Sequence, residues 1–222
     1  MEYAVLFLAV AIGYLVALFF QKRELKHVPI LLAFSGSFLL ATTLFELLPE
    51  VFKVPSKKVG VCIMAGILLQ IILDFFSKGA EHGHIHVTHD RRVFPWLLFI
   101  SLSAHALIEG FPVAGNTAVL IGVVVHKIPI AIILALFFQK AGYAKGTTIA
   151  FLFLFAIMTP IGSLLMHELS FLENYKTEIN AVAIGIFLHV STTILFESSK
   201  NHSFNLSKMT AVVIGVVLAY FV

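Results

Sequence analysis

The sequence predicts an all-helical integral membrane protein, and three observations carry that prediction. The 222 residues are 59% hydrophobic and only 12% charged, about half the charge of an average soluble domain. The mean hydropathy is +1.00. The apolar residues fall in runs of about 20, the length a helix needs to cross a bilayer. Strand-like alternation of the β-barrel kind is absent. The 22 Phe exclude a disordered chain, and the single cysteine, Cys62, excludes a disulfide scaffold. A net charge of +3 and a pI near 9.0 are ordinary for a membrane protein with basic cytoplasmic loops. Nucleic acid is therefore not expected as a partner, whereas the lipid bilayer is.

Eight spans are expected, at about 3–20, 28–48, 59–77, 93–111, 116–138, 147–169, 179–197 and 208–222. The first follows Met1 and Glu2 with no positive segment ahead of it and no small-residue cleavage site, so it reads as a retained helix. The second ends in Leu47-Leu48-Pro49-Glu50, and the third carries Asp74 near its end. The fourth holds His105, Glu109 and Pro112, and the fifth holds His126, Lys127 and Pro129. The sixth contains Pro160 and ends in His167 and Glu168, while the seventh holds His189 and Glu197. The eighth is short but almost free of polar groups. The connections are short and polar, so residues 1–222 are expected to form one transmembrane domain with a His-rich loop at about 78–92.

Orientation follows from the basic residues. Lys22, Arg23, Lys26, Lys78, Arg91, Arg92, Lys140, Lys145, Lys200 and Lys208 follow odd-numbered spans, against Lys53, Lys57, Lys58 and Lys176 on the other side. The positive-inside rule then places both termini outside and the His-rich loop in the cytoplasm.

Ionisable groups at membrane depth cost several kcal/mol and mark pathways. Asp74, Glu168 and Glu197 lie near span ends and are expected to reach an interface. His105, Glu109, His126 and Lys127 sit too deep for that and need a partner or a cavity. Glu46 and His189 are further pathway candidates. His105 and Glu109, at i and i+4, share one helix face, and His126 could add a third ligand from the next helix. Two imidazoles and a carboxylate match zinc sites that keep a position for water, although a His–Glu hydrogen bond tying helices together would look the same in sequence. Pro112 and Pro129 each follow a candidate ligand by three residues. Each lacks an N–H for the carbonyl four residues back, those of Ile108 and Val125, and kinks are tolerated where backbone lines a cavity.

In the third loop, His82, His84 and His86 alternate and His89 follows, so an extended chain could present several imidazoles to a transition metal. A weaker metal-receiving site and an inert polar linker are both open readings of this segment.

The segment His105-Ala106-Leu107-Ile108-Glu109-Gly110 resembles the His-x-x-x-Glu-Gly signature of the fourth helix in the ZIP (Zrt/Irt-like) metal transporters. His126-Lys127-Ile128-Pro129 resembles the start of their fifth-helix motif. Gly36 to Glu50 is similar to their second-helix motif, and Gly185-Ile186-Phe187-Leu188 to the opening of their seventh helix. The resemblance is to a prokaryotic-type member with a departed fifth-helix motif. It implies a ZIP-like 3+2+3 arrangement of eight helices with an inverted repeat, in a bacterial inner (plasma) membrane. It implies movement of a divalent ion toward the cytoplasm through a site between helices four and five, with one bundle sliding against a scaffold. A homodimer is among the partners it implies.

The departures bear on a second metal and, at Ile130, on a fourth ligand of the central site. Ile130 stands directly after the fifth-helix Pro, where many relatives carry an acid, and Ala106 replaces an Asn. Lys127 and Thr159 stand at further acidic positions, and Ile194 falls at another. One central site of His105, Glu109 and His126 is therefore expected, and two readings of Lys127 are open: its ammonium takes the place of a second cation and pairs with Glu109, or its side chain extends along the helix edge toward an interface. Zinc is the first expectation for the cargo, with Fe2+, Mn2+, Ni2+ and Cd2+ also compatible with these ligands. The chain is not expected to be an enzyme. The competing readings are an integral-membrane zinc metalloenzyme, which would need a general base beyond the ligands, and a non-transporting metal sensor on the same fold.

Overall fold

In this computed structural model, residues 1–19, 28–53, 56–77, 94–197 and 206–222 are described, and no strand occurs among them. The helices of 15 residues or more are α1 (Glu2–Phe19), α2 (Val28–Val51), α3 (Lys57–Ser77), α4 (Trp96–Gly110), α5 (Thr117–Lys140), α6 (Lys145–Glu168), α7 (Lys176–Glu197) and α8 (Leu206–Tyr220). Seven are long and apolar enough to cross a membrane, α4 being counted with the turn that follows it. The expected eighth span is an apolar helix of 15 residues. At 1.5 Å per residue it reaches about 22 Å, short of a hydrocarbon core of about 30 Å.

Local chemistry sets the breaks. In α2 the turn widens to a π-helical stretch at Thr43–Leu47. Pro49, just beyond it, has no N–H and its ring crowds the Phe45 carbonyl, a conflict that widening relieves. The α5 end is closed by Gly142 at φ 73°, with Tyr143 N–H donating to the Phe138 carbonyl at 3.0 Å. The Tyr143 and Phe138 rings pack 5.0 Å apart, completing a Schellman cap with its apolar contact.

α5 is the most enclosed helix, with Val119, Val123, Ile130, Ala131, Leu134 and Phe138 all buried. Large apolar side chains on the outer faces of α1, α3 and α8, such as Leu15, Phe75 and Val213, are exposed, as a lipid-facing surface requires.

The helices pair in parallel. Lys58 Nζ meets Glu178 Oε1 at 2.6 Å where α3 and α7 begin, and further along Asp74 Oδ2 meets His189 Nδ1 at 3.3 Å. α2 and α8 run alike, since Gly215 approaches Ser37 and the Phe45 ring meets Tyr220 further on. α4 and α6 do the same, with Phe99 against Phe151 near their starts and Leu107 against Gly162 near their ends. Two of these pairs rest on glycines facing each other. A Cβ on Gly66 or Gly185 would enter the other helix's backbone, and the same holds for Gly110 and Gly162. Small residues allow such close approach, which is how helices bind one another in lipid. α1 completes the set by laying Gly13 against Ile128 and Ala131 of α5.

Candidate metal centre

A tight connection fixes the two helices that carry the central residues. After α4 the chain forms one 3-10 turn, Phe111–Val113, and Phe111 N–H donates to the Ile108 carbonyl. The carbonyl that the Pro112 position was expected to free is therefore occupied, because the chain tightens instead of kinking. Gly115 follows at φ 76°, a value that favours glycine, and Asn116 caps α5 by accepting from Val119 N–H at 3.0 Å. Pro129 lies inside α5 and Pro160 inside α6.

His105, Glu109, His126 and Lys127 border a common space. With Leu102, Ile130 and Phe155 they line one small cavity. All four are buried, and Lys127 and Glu109 are each only 1% exposed. Lys127 does not reach for an interface. Its Nζ lies 3.4 Å from Glu109 Oε2 and 4.6 Å from the centroid of the Phe155 ring, so a carboxylate and an aromatic face share the ammonium.

His105 Nε2 also lies 3.4 Å from Glu109 Oε2. The second carboxylate oxygen, Oε1, makes no hydrogen bond among the described residues. A buried carboxylate oxygen without a donor is costly, by about 1–3 kcal/mol or more, and is suited to a cation. Among the described residues no three His, Cys, Asp or Glu groups are gathered closely enough to hold a metal ion as they stand. The three candidate ligands thus border one cavity while the carboxylate is turned to Lys127.

Two polar residues in α3, which the sequence reading had not joined to the site, extend it. His105 Nδ1 lies 2.9 Å from Gln70 Oε1, and Gln70 Nε2 donates to Asp74 Oδ1 at 2.8 Å. Asp74, expected to reach an interface, is instead held between Gln70 and His189. The signal was present in the sequence: Gln70 and Asp74 stand at i and i+4 in an otherwise apolar run. His189 therefore joins the network at its outer end, through Asp74. Glu46 is exposed on the π-helical stretch of α2 and does not line the cavity. His82, His84, His86 and His89 lie outside the described residues.

Two positions where relatives were expected to carry second-metal ligands bond to each other instead. Thr159 Oγ1 donates to the Ala106 carbonyl at 2.9 Å, tying α6 to α4. Ile130 lines the cavity as an apolar wall.

The family model described as ZIP Zinc transporter matches residues 77–222. The chain belongs to the ZIP family. The match takes in α4 and α5 with every residue of the cavity, although it starts after α1 and α2 and at the last residue of α3. No match among curated proteins accompanies it. ZIP membership and the apolar helices make this an integral membrane protein and a divalent metal transporter. On family grounds it is a transporter rather than a metalloenzyme.

Proposed function

We propose that this ZIP protein carries one divalent ion at a time, zinc first among the candidates, across the membrane toward the cytoplasm. The cargo site we assign is His105, Glu109 and His126, with water completing the shell. The observation that carries this reading is the geometry of the α4 pair. His105 Nε2 and Glu109 Oε2 stand 3.4 Å apart, both buried at one cavity. Two ligands each about 2.0–2.1 Å from a tetrahedral zinc are separated by about 3.3–3.4 Å. The pair is thus spaced as adjacent ligands of one ion, and the undonated Oε1 adds a reason for the site to accept one.

Helix packing supports an alternating-access movement of the elevator kind. α1, α4, α5 and α6 pack on one another, as do α2, α3, α7 and α8, and the two groups meet chiefly through α2 with α5 and α3 with α4. Exchanging α1–α3 with α6–α8, and α4 with α5, maps the α3–α7 pair onto α2–α8 and the α4–α6 pair onto α1–α5. That correspondence supports the inverted repeat, with α8 as an eighth span of a single domain over residues 1–222. Basic-residue bias supports both termini outside and the 78–92 segment in the cytoplasm, where its histidines would receive released metal.

The test is uptake of Zn2+ into sealed proteoliposomes, paired with calorimetry on protein whose loop histidines are replaced by Ser. Wild-type protein is expected to take up Zn2+ and to bind one ion centrally. Glu109→Gln should abolish tight binding, and His105→Ala and His126→Ala should each weaken it strongly. Binding without uptake would favour a sensor, and undiminished binding by Glu109→Gln would remove the site.

A further inference from the structure

We infer that Gln70 is a positioning residue for the cargo ligand His105, and that Asp74, from the far side, decides which end of the Gln70 amide faces the imidazole. The inference rests on the proposed cargo site and concerns what makes His105 a competent ligand.

A glutamine amide can offer either its oxygen or its NH2 to a neighbour, and an imidazole can carry its proton on either nitrogen. Left to themselves, Gln70 and His105 could pair in two ways, one of which places the ring proton on Nε2 and removes that nitrogen as a ligand. The α3 carboxylate breaks the tie. Asp74 only accepts, so the Gln70 NH2 turns to Oδ1, at 2.8 Å, and Gln70 Oε1 turns to His105, at 2.9 Å. An amide oxygen only accepts as well, so Nδ1 must carry a ring proton, and in the neutral imidazole Nε2 then keeps its lone pair toward Glu109 and the cavity. Gln70 is 0% exposed, so bulk water does not compete for the amide. The other Asp74 oxygen lies 3.3 Å from His189 Nδ1.

The direction of the amide thus carries a choice made at Asp74 to the metal-facing nitrogen of His105. Outer groups of this kind commonly change metal affinity by about 10- to 100-fold.

The deciding experiment exchanges the two functional groups. Asp74→Asn keeps shape but lets the Gln70 amide reverse, so Zn2+ affinity should fall by about tenfold or more. Gln70→Leu should cost about 10- to 100-fold, and in that background Asp74→Asn should add nothing. The double variant Gln70→Glu with Asp74→Asn places an acceptor-only group toward His105 and a donor toward it from position 74. It should bring affinity back to within about threefold of wild type. Ring-15N histidine spectra of the metal-free full chain supply a readout that does not depend on metal. The wild type and the exchanged double variant should show His105 with its proton on Nδ1, and Asp74→Asn should show a mixture. An unchanged His105 tautomer in Asp74→Asn, or a folded double variant that is not restored, would overturn the assignment. If Glu109→Gln leaves Zn2+ binding intact, the cargo site fails while the tautomer spectra still decide the role of Gln70.

Discussion

Lys127 Nζ lies 3.4 Å from the same Glu109 oxygen that faces His105, so an ammonium and the proposed cargo compete for one carboxylate. Both partners are 1% exposed, which leaves the contest almost free of solvent screening. Lys127→Met keeps the stem and deletes the charge. It should tighten Zn2+ binding by at least about tenfold at a stoichiometry of one, because breaking the ion pair no longer opposes binding. Lys127→Asp should raise the count toward two, since it adds an oxygen ligand where a cation stood. Calorimetry on the loop-substituted protein counts the ions. Weaker binding by Lys127→Met would show that the ammonium organises Glu109 for metal rather than withholding it.

The cavity was largely legible in the sequence because its four ionisable residues sit in two short motifs on helices joined by a few residues. Depth alone marked them, since no side chain at that depth can reach an interface from mid-span. Glu46 and Asp74 show where depth stops being informative. Each lies near the end of an apolar run, where the sequence fixes neither the direction of the side chain nor the register of the neighbouring helix. The π-helical turn leaves Glu46 exposed, whereas Asp74, partly exposed near the end of α3, pairs with Gln70 and faces His189 of α7. Gln70 was missed for a related reason. Its significance lies in a contact with His105, 35 residues away, and no local pattern encodes such a distance.

The glycine contacts make packing testable without touching the cavity. A Cβ at Gly162 would enter the Leu107 carbonyl of α4, whereas one at Gly146 near the start of α6 meets open space. Overpacking costs about 1–3 kcal/mol when side chains can shift, and backbone against backbone leaves less room. Gly162→Ala should lower the thermal midpoint of the purified protein by several degrees. Gly146→Ala should leave it unchanged or raise it slightly, through helix propensity of about 0.5–1 kcal/mol. Equal midpoints for both variants would mean that the α4–α6 contact is not close-packed.

Topology makes the direction of transport testable. In a Cys62→Ser background, a cysteine at His84 should react with an impermeant thiol reagent only from the cytoplasmic side, and one appended after Val222 only from outside. Replacing His82, His84, His86 and His89 by Ser should change the rate of uptake without emptying the central site. Labelling of the two positions from the same face would mean an even number of spans between them, so that α8 would not cross.

If the two helix groups slide, their shared boundary must open and close, and the α3–α4 contact is where to hold it. Ser101 Oγ of α4 donates to the Leu73 carbonyl of α3, next to the Gln70–His105 contact, so these positions are neighbours in this conformation. Leu73→Cys with Ser101→Cys, again without Cys62, can be joined by a short bifunctional thiol reagent. The bridge spans the boundary but leaves every cavity residue in place. Zn2+ binding to the central site should survive bridging, because the ligands of α4 and α5 move together. Flux should fall to the level of empty vesicles and return when a cleavable bridge is cut. Full flux through a completely bridged protein would place the moving boundary elsewhere, because α3 and α4 would then travel as one body.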